Sequence, residues 1–157
     1  MERDKSNVKL AILITIASII FVAGLGTLFV QLGIDWFNNL TKPTEWIPSW
    51  LIPVVWTVIY LAFAIILSLW IKNQNLPRKV SVLLITNGVL NILWCLMFFT
   101  LNLLFVGLIF IILNLIFAIK LLLEMSKTKY IYTTILTIYP LWLSIATTLN
   151  LAVWILN

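Results

Sequence analysis

Charged residues punctuate this chain so sparsely that the uncharged runs between them define its elements. Leu10 to Val30 is 21 residues without a charge, with Thr15, Ser18 and Thr27 as its only hydroxyls and Gly24 and Gly26 near its far end. About 20 apolar residues in a helix cross the hydrocarbon core of a bilayer, so this run predicts a first span over about 10–30. Trp50 to Ile71 is again free of charge and predicts a second span over 50–71. Ser49 suits its N-cap, and Pro53 is tolerated in its first turn. The segment KNQNLPRK, with Pro77 and three bases, forbids its continuation. Val80 to Ile119 then runs 40 residues without a charge, about 60 Å if helical and twice the hydrocarbon thickness. It must be two spans. The break falls at Thr100 to Asn102, giving helices over about 80–99 and 102–123 joined by a tight turn. After MSKTK, residues 130–156 form the fifth. The pattern predicts an all-α membrane protein, a five-transmembrane-helix bundle forming one domain over residues 1–157.

The connection between helices 1 and 2 differs in kind from the others. Residues 31–48 predict a long loop in which Ile34 to Leu40 makes a short amphipathic turn, lying at the interface with Trp36 and Phe37 toward the membrane. Pro43 and Pro48 each remove a backbone donor and push the preceding residue out of the helical region, which excludes a regular element from Lys42 to Pro48. Three tryptophans and three prolines fall within residues 42–60. A stiff aromatic loop therefore feeds directly into the second span.

Composition agrees with the pattern. The chain is 63% hydrophobic and 10% charged, with a mean hydropathy of +1.14, whereas soluble domains are nearer half apolar and a quarter charged. The net charge of +5 resembles a nucleic-acid signal only until its placement is read. Arg3, Lys5, Lys9, Lys72, Arg78, Lys79, Lys120, Lys127 and Lys129 fall on one side of a five-span topology and Lys42 alone on the other. The positive-inside rule then puts the N-terminus in the cytoplasm, with the tryptophan-rich loop and the C-terminus outside. The first span reads as retained, with no small-residue cleavage site after it. The chain has no histidine and one cysteine, Cys95, so it offers no disulfide, zinc cluster or histidine-ligated haem. No cofactor, metal ion or nucleic acid is expected.

Depth and helical phase nominate a site. Counted from the outer end, Trp56 and Tyr60 on helix 2, Trp94 and Asn91 on helix 3, and Asn150 and Trp142 on helix 5 occupy one layer of the membrane. Asn87, Asn91, Trp94 and Phe98 share a helix face, as do Tyr139, Trp142, Ala146 and Asn150. On helix 2 the stripe is Trp50, Pro53, Thr57, Tyr60 and Ala64, with Trp56 beside it. Amides and rings facing inward under a loop describe an apolar pocket with a few polar fixing points. Plainer roles compete. Trp36, Trp70 and Trp154 read as interface anchors, and Trp46 and Trp50 as anchors or ligand contacts. Asparagines in membrane helices commonly tie helices together, the role expected of Asn114. The stripe Gly107, Ile111, Asn114 and Ala118 suits packing within the bundle or a contact between two copies.

The tracts WFNNLTKP (36–43), PSWLIPVVWTVIYL (48–61), NGVLNILWCLMFF (87–99) and WLSIATTLNLAVWILN (142–157) together resemble the TspO/MBR family of tryptophan-rich sensory and translocator proteins, in register over all five helices. The resemblance implies a homodimeric membrane protein that binds porphyrins such as protoporphyrin IX and, in many members, benzodiazepine-type ligands, in a pocket under the first loop. Carried over by position, its ligand-lining residues are Trp50, Trp56, Asn87, Asn91, Trp94, Trp142 and Ala146. The chain departs from the family pattern where Trp46 is displaced by one in the proline motif, where Ile109 replaces an acid, and where Pro140 follows Tyr139 instead of preceding it. The cholesterol pattern of animal members is absent, since nothing basic follows Lys129. The resemblance implies a sensor or regulator of tetrapyrrole handling. Alternatives are a porphyrin transporter, disfavoured as a proton-coupled pump by spans with no acid or histidine, and a slow light-dependent porphyrin-degrading enzyme.

Overall fold

The computed structural model describes residues 4–43, 48 and 50–157. The expectations placed on Trp46 and on Ser49 as N-cap lie outside the described residues. Seven α-helices are present among those described: α1 (Lys5–Leu32), α2 (Ile34–Asn38), α3 (Leu51–Asn73), α4 (Arg78–Cys95), α5 (Leu104–Ser126), α6 (Tyr130–Leu136) and α7 (Ile138–Leu156). A π-helical turn, Leu96–Thr100, extends α4. Together they make five segments long and apolar enough to cross a membrane: α1, α3, α4 with its π turn, α5, and α6 with α7.

The helices outrun the uncharged stretches because a helix need not stop at the hydrocarbon boundary. Six residues before the first apolar run, Asp4 caps α1 by accepting the Ser6 N–H at 3.0 Å. At its other end α1 continues through Leu32, and α2 follows after Gly33 alone. The loop expected over 31–48 is thus helical in its first part, and the amphipathic turn expected at Ile34 is a short helix.

The break at Thr100 to Asn102 is where the pattern put it, with a geometry the pattern does not disclose. Leu101 N–H bonds the Leu96 carbonyl and Leu103 N–H the Met97 carbonyl, both at 2.9 Å. These wider rings close the helix, and Asn102 turns the chain at a φ of 58°, a left-handed conformation that asparagine tolerates better than most residues. Two glycines make room for this turn. A Cβ on Gly33 would collide with the Phe99 backbone carbonyl, and one on Gly107 would stand 2.7 Å from Phe98 Cβ. Thr100 adds a hydroxyl bond to the Phe29 carbonyl at 2.9 Å, so α1, α4 and α5 are locked together at this end.

The fifth span is broken at Thr137. Pro140 has no N–H for the Leu136 carbonyl, and its ring crowds that carbonyl. The Thr137 hydroxyl bonds back to the Thr134 carbonyl at 2.7 Å.

The spans close into a ring: α1 packs on α3 and α4, α4 on α5, α5 on α7, and α3 returns to α6 and α7. Inside it, Asn87, Asn91, Trp94 and Phe98 are buried, as are Tyr139, Trp142, Ala146 and Asn150, so both faces read from spacing point inward. Helix 2 is different. The buried face of α3 is Ile59, Phe63, Ile66, Leu67 and Trp70, while Trp50, Pro53 and Thr57 are exposed. The stripe through Trp50, Pro53 and Thr57 is therefore corrected, and Trp56 belongs to the inward side. Trp70, expected as an interface anchor, is wholly buried with its ring against Tyr132. Gly107, Ile111, Asn114 and Ala118 are all buried within the bundle, with Gly107 against Phe98. That stripe packs internally and is not a contact between copies.

A cluster of rings and amides under a short helix

Trp56 is the hub of the site. Its ring stacks on Tyr60 with centroids 5.7 Å apart, lies 6.0 Å from Trp94 and meets Tyr139 edge-on at 6.4 Å. Tyr139 in turn meets Phe63 edge-on at 5.4 Å. Three spans thus contribute to one aromatic cluster, and residues four apart on α3 supply its stacked pair. Such contacts favour offset or edge-on geometry because each ring carries a negative face and a positive rim.

Buried amides line this cluster, and in a bilayer interior each must find partners within the protein. Asn150 accepts the Trp94 indole N–H at 3.0 Å and donates to the Ala146 carbonyl at 2.9 Å. Asn87 donates to the Leu83 carbonyl at 2.8 Å. The Tyr139 hydroxyl lies 3.1 Å from Asn114 Oδ1 and 3.4 Å from Asn87 Oδ1; its single hydrogen serves one of them at a time. Asn91 Oδ1 faces the Cys95 thiol at 3.9 Å. Asn91 and Tyr60 both approach Gly26, the one buried residue of α1, where a Cβ would stand 3.8 Å from Asn91 Oδ1 and 4.0 Å from the Tyr60 hydroxyl. Two donors, Asn114 Nδ2 and Trp142 Nε1, are buried without a protein acceptor.

The candidates therefore fall into three groups. Trp56, Tyr60, Trp94, Asn87, Asn91 and Asn150 line one buried assembly. Trp142 and Ala146 are buried on the same face of α7 as Asn150. Trp50 does not join them: it is 66% exposed, one residue before α3, where no helical turn yet orients its side chain inward. Spacing on its own separated Asn114 from this layer, yet its bond to Tyr139 puts it in the same network. Tyr139, noted in the sequence only as part of a face, joins rings to amides as Trp94 does, through Asn87 and Asn114. In this structure these rings contact one another directly, at the place where the sequence led us to expect an apolar pocket.

Above the cluster lies α2. Trp36 meets Phe98 edge-on at 6.2 Å, and Phe37 lies 6.0 Å from Phe98 and 5.1 Å from Phe99. Phe99 in turn meets Trp94 at 5.9 Å. Ring contacts thus run unbroken from α2 through the π turn to Trp94 and Trp56. Lys42 bonds the Phe37 carbonyl and lies 4.5 Å above the Phe37 ring. Partial desolvation there lowers its pKa from the usual lysine value. The Asn157 side chain holds Thr41 by two bonds, Thr41 N–H to Oδ1 and Nδ2 to the Thr41 carbonyl, each 3.0 Å. The segment after α2 is thereby tied to the end of α7.

Residues 11–155 match the model of the TspO/MBR family. Among curated proteins, the chain is 30% identical to the tryptophan-rich protein TspO of Chlorobaculum tepidum over 138 residues, 84% of this chain and 86% of that one. It is 28% identical to the tryptophan-rich protein TspO of Archaeoglobus fulgidus over 153 residues, 94% of this chain and 97% of that one. Protein CrtK of Rhodobacter capsulatus is 26% identical over 126 residues, 78% of each chain.

Proposed function

The chain belongs to the TspO/MBR family, and from that premise we propose that it binds planar aromatic ligands of the porphyrin and benzodiazepine type within its helix bundle and acts as a sensor or regulator of tetrapyrrole handling. One observation carries this reading: the Trp56, Tyr60, Trp94 and Tyr139 rings form a single assembly bordered by buried amides. A flat macrocycle finds ring faces to stack on and a few directed polar atoms, with little water to compete. In this reading Trp56 is the movable wall. Swinging away from Trp94 and Tyr139, it exposes their faces to the ligand, and α2 with the segment pinned by Asn157 covers the entrance. Asn114 Nδ2 and Trp142 Nε1, without acceptors in the protein, are donors for a ligand carbonyl or carboxylate.

The same reading has the protein work as a homodimer in the cytoplasmic membrane, with the basic ends of the helices in the cytoplasm and α2 outside. The test is a titration of protoporphyrin IX followed at its Soret band, in the native protein and in Trp56→Phe. A stacked ring pair contributes about 0.5 to 1.5 kcal/mol beyond area burial, so the variant should bind about two- to tenfold more weakly. Identical titrations in both proteins would remove Trp56 from the site.

A further inference from the structure

At the opposite end of the bundle a groove of about 350 Å³ runs between α1 and α3, walled by Ile12 and Ile16 on one side and by Ala64, Ser68 and Leu69 on the other, with Lys72 at its mouth. Lys9 stands three and seven residues before Ile12 and Ile16, on the same face of α1. The groove brings Ile12 and Ile16 of α1 together with Ile65, Leu69 and Lys72 of α3, and successive spans run antiparallel, so Lys9, one turn before Ile12, falls at the same end of the bundle as Lys72. Among the described residues neither ammonium has an acidic partner, whereas Lys127 is paired with Glu124 at 2.7 Å. Ser68 is also out of the ordinary. Thr15, Ser18, Thr57 and Ser144 each return their hydroxyl to the carbonyl four residues back, but Ser68 Oγ is buried with no partner.

We propose that this groove is a binding site for one molecule of anionic phospholipid. Charge complementarity selects the occupant. The acyl chain lies along the aliphatic walls, the phosphate sits between Lys9 and Lys72, and the Ser68 hydroxyl donates to an ester carbonyl. Ser68 is one turn from Lys72, about 6 Å along the axis, which matches the step from phosphate to ester in a glycerophospholipid. A free anion would use the lysines but leave the walls and Ser68 unexplained. The site is independent of the aromatic cluster.

Native mass spectrometry of the detergent-purified protein tests it, with phosphatidylglycerol or phosphatidylcholine of matched chains added. The native protein should retain one phosphatidylglycerol in preference to phosphatidylcholine. A lysine near a lipid headgroup is worth about fivefold in binding, so Lys9→Gln with Lys72→Gln should abolish the preference. Removing the same charge by Lys120→Gln with Lys129→Gln should leave it intact. Ala64→Leu, which fills the groove, should reduce retention of both lipids without lowering the melting temperature. Equal retention of the two lipids by the native protein would overturn the proposal, as would equal losses in the two double variants, since net charge alone would then explain binding.

Discussion

Trp94 and Asn150 join α4 to α7 through one hydrogen bond of 3.0 Å, indole N–H to amide oxygen, in the interior of the bundle. Both residues are buried, and Trp94 also touches Trp56. The bond therefore holds a wall of the proposed site as well as the helix pair. Asn150→Leu strands a buried indole N–H, a loss of about 1 to 3 kcal/mol, while Trp94→Phe with Asn150→Leu strands neither partner. The double variant should melt no lower than Asn150→Leu alone. Additive losses in a double-mutant cycle would show that the two residues act separately.

The two asparagines Asn91 and Asn114 should divide stability from binding. Asn114 is wholly buried and bonds Tyr139 from a neighbouring span, the interhelical tie expected of it, and its loss should cost about 0.6 to 2 kcal/mol of stability. Asn91 is held more loosely, with the Cys95 thiol at 3.9 Å and a further interaction with the Tyr139 hydroxyl. Asn91→Leu should lower protoporphyrin affinity about two- to tenfold, the worth of one neutral hydrogen bond. Melting curves and ligand titrations on both variants check the division. Because Asn114 shares the Tyr139 network, its replacement by Leu should weaken binding as well, by less than Asn91→Leu does.

Gly33→Ala should be among the most damaging single-methyl changes in the chain, since the added carbon meets the Phe99 backbone carbonyl and α2 must lift off the π turn. Gly24→Ala is the control: nothing lies within 4 Å of its Cβ, and alanine is the better helix former by about 1 kcal/mol. Thermal melting in detergent should show a large loss for the first and no loss for the second.

Releasing the Asn157 clamp should loosen the segment after α2. Asn157→Ala removes both bonds to Thr41, and amide exchange over residues 39–42 should quicken. Saturating protoporphyrin should slow exchange in the native protein over the same stretch. Equal exchange with and without ligand would make this stretch a passive connection.

Topology has its own check. With Lys42 the only base on one side, a reporter active only outside the cytoplasm should work when fused after Asn157 and fail when fused before Met1.

The spans were legible because a bilayer enforces length and excludes charge, and those two signals survive in a single sequence. The inward faces of α4 and α7 were legible for a related reason: in lipid, amides mark the inside. Helix α3 has no amide before Asn73, and lipid tails are as apolar as leucine, so nothing in its composition distinguished Ile59, Phe63 and Trp70 from the lipid-facing Val54, Val58 and Leu61. Hydroxyls misled there, because Thr57 satisfies itself on the Pro53 carbonyl at 2.8 Å and needs no interior partner. The π turn was invisible because it follows from the close approach of Gly33 and Gly107 to Phe98 and Phe99, contacts far apart in sequence. Tyr139 was undervalued for a similar reason: its role depends on Asn87 and Asn114 arriving from two other helices.

The most direct test of the proposed function is tryptophan fluorescence of the purified protein during titration with protoporphyrin IX. Trp56 and Trp94 lie in the assembly itself, so a ligand stacking there must quench them. Quenching should saturate, be weakened in Trp56→Phe and be unchanged in Trp154→Phe, whose ring lies apart, against Phe105. Quenching that rises linearly without saturation, and equally in all three proteins, would contradict the proposed function.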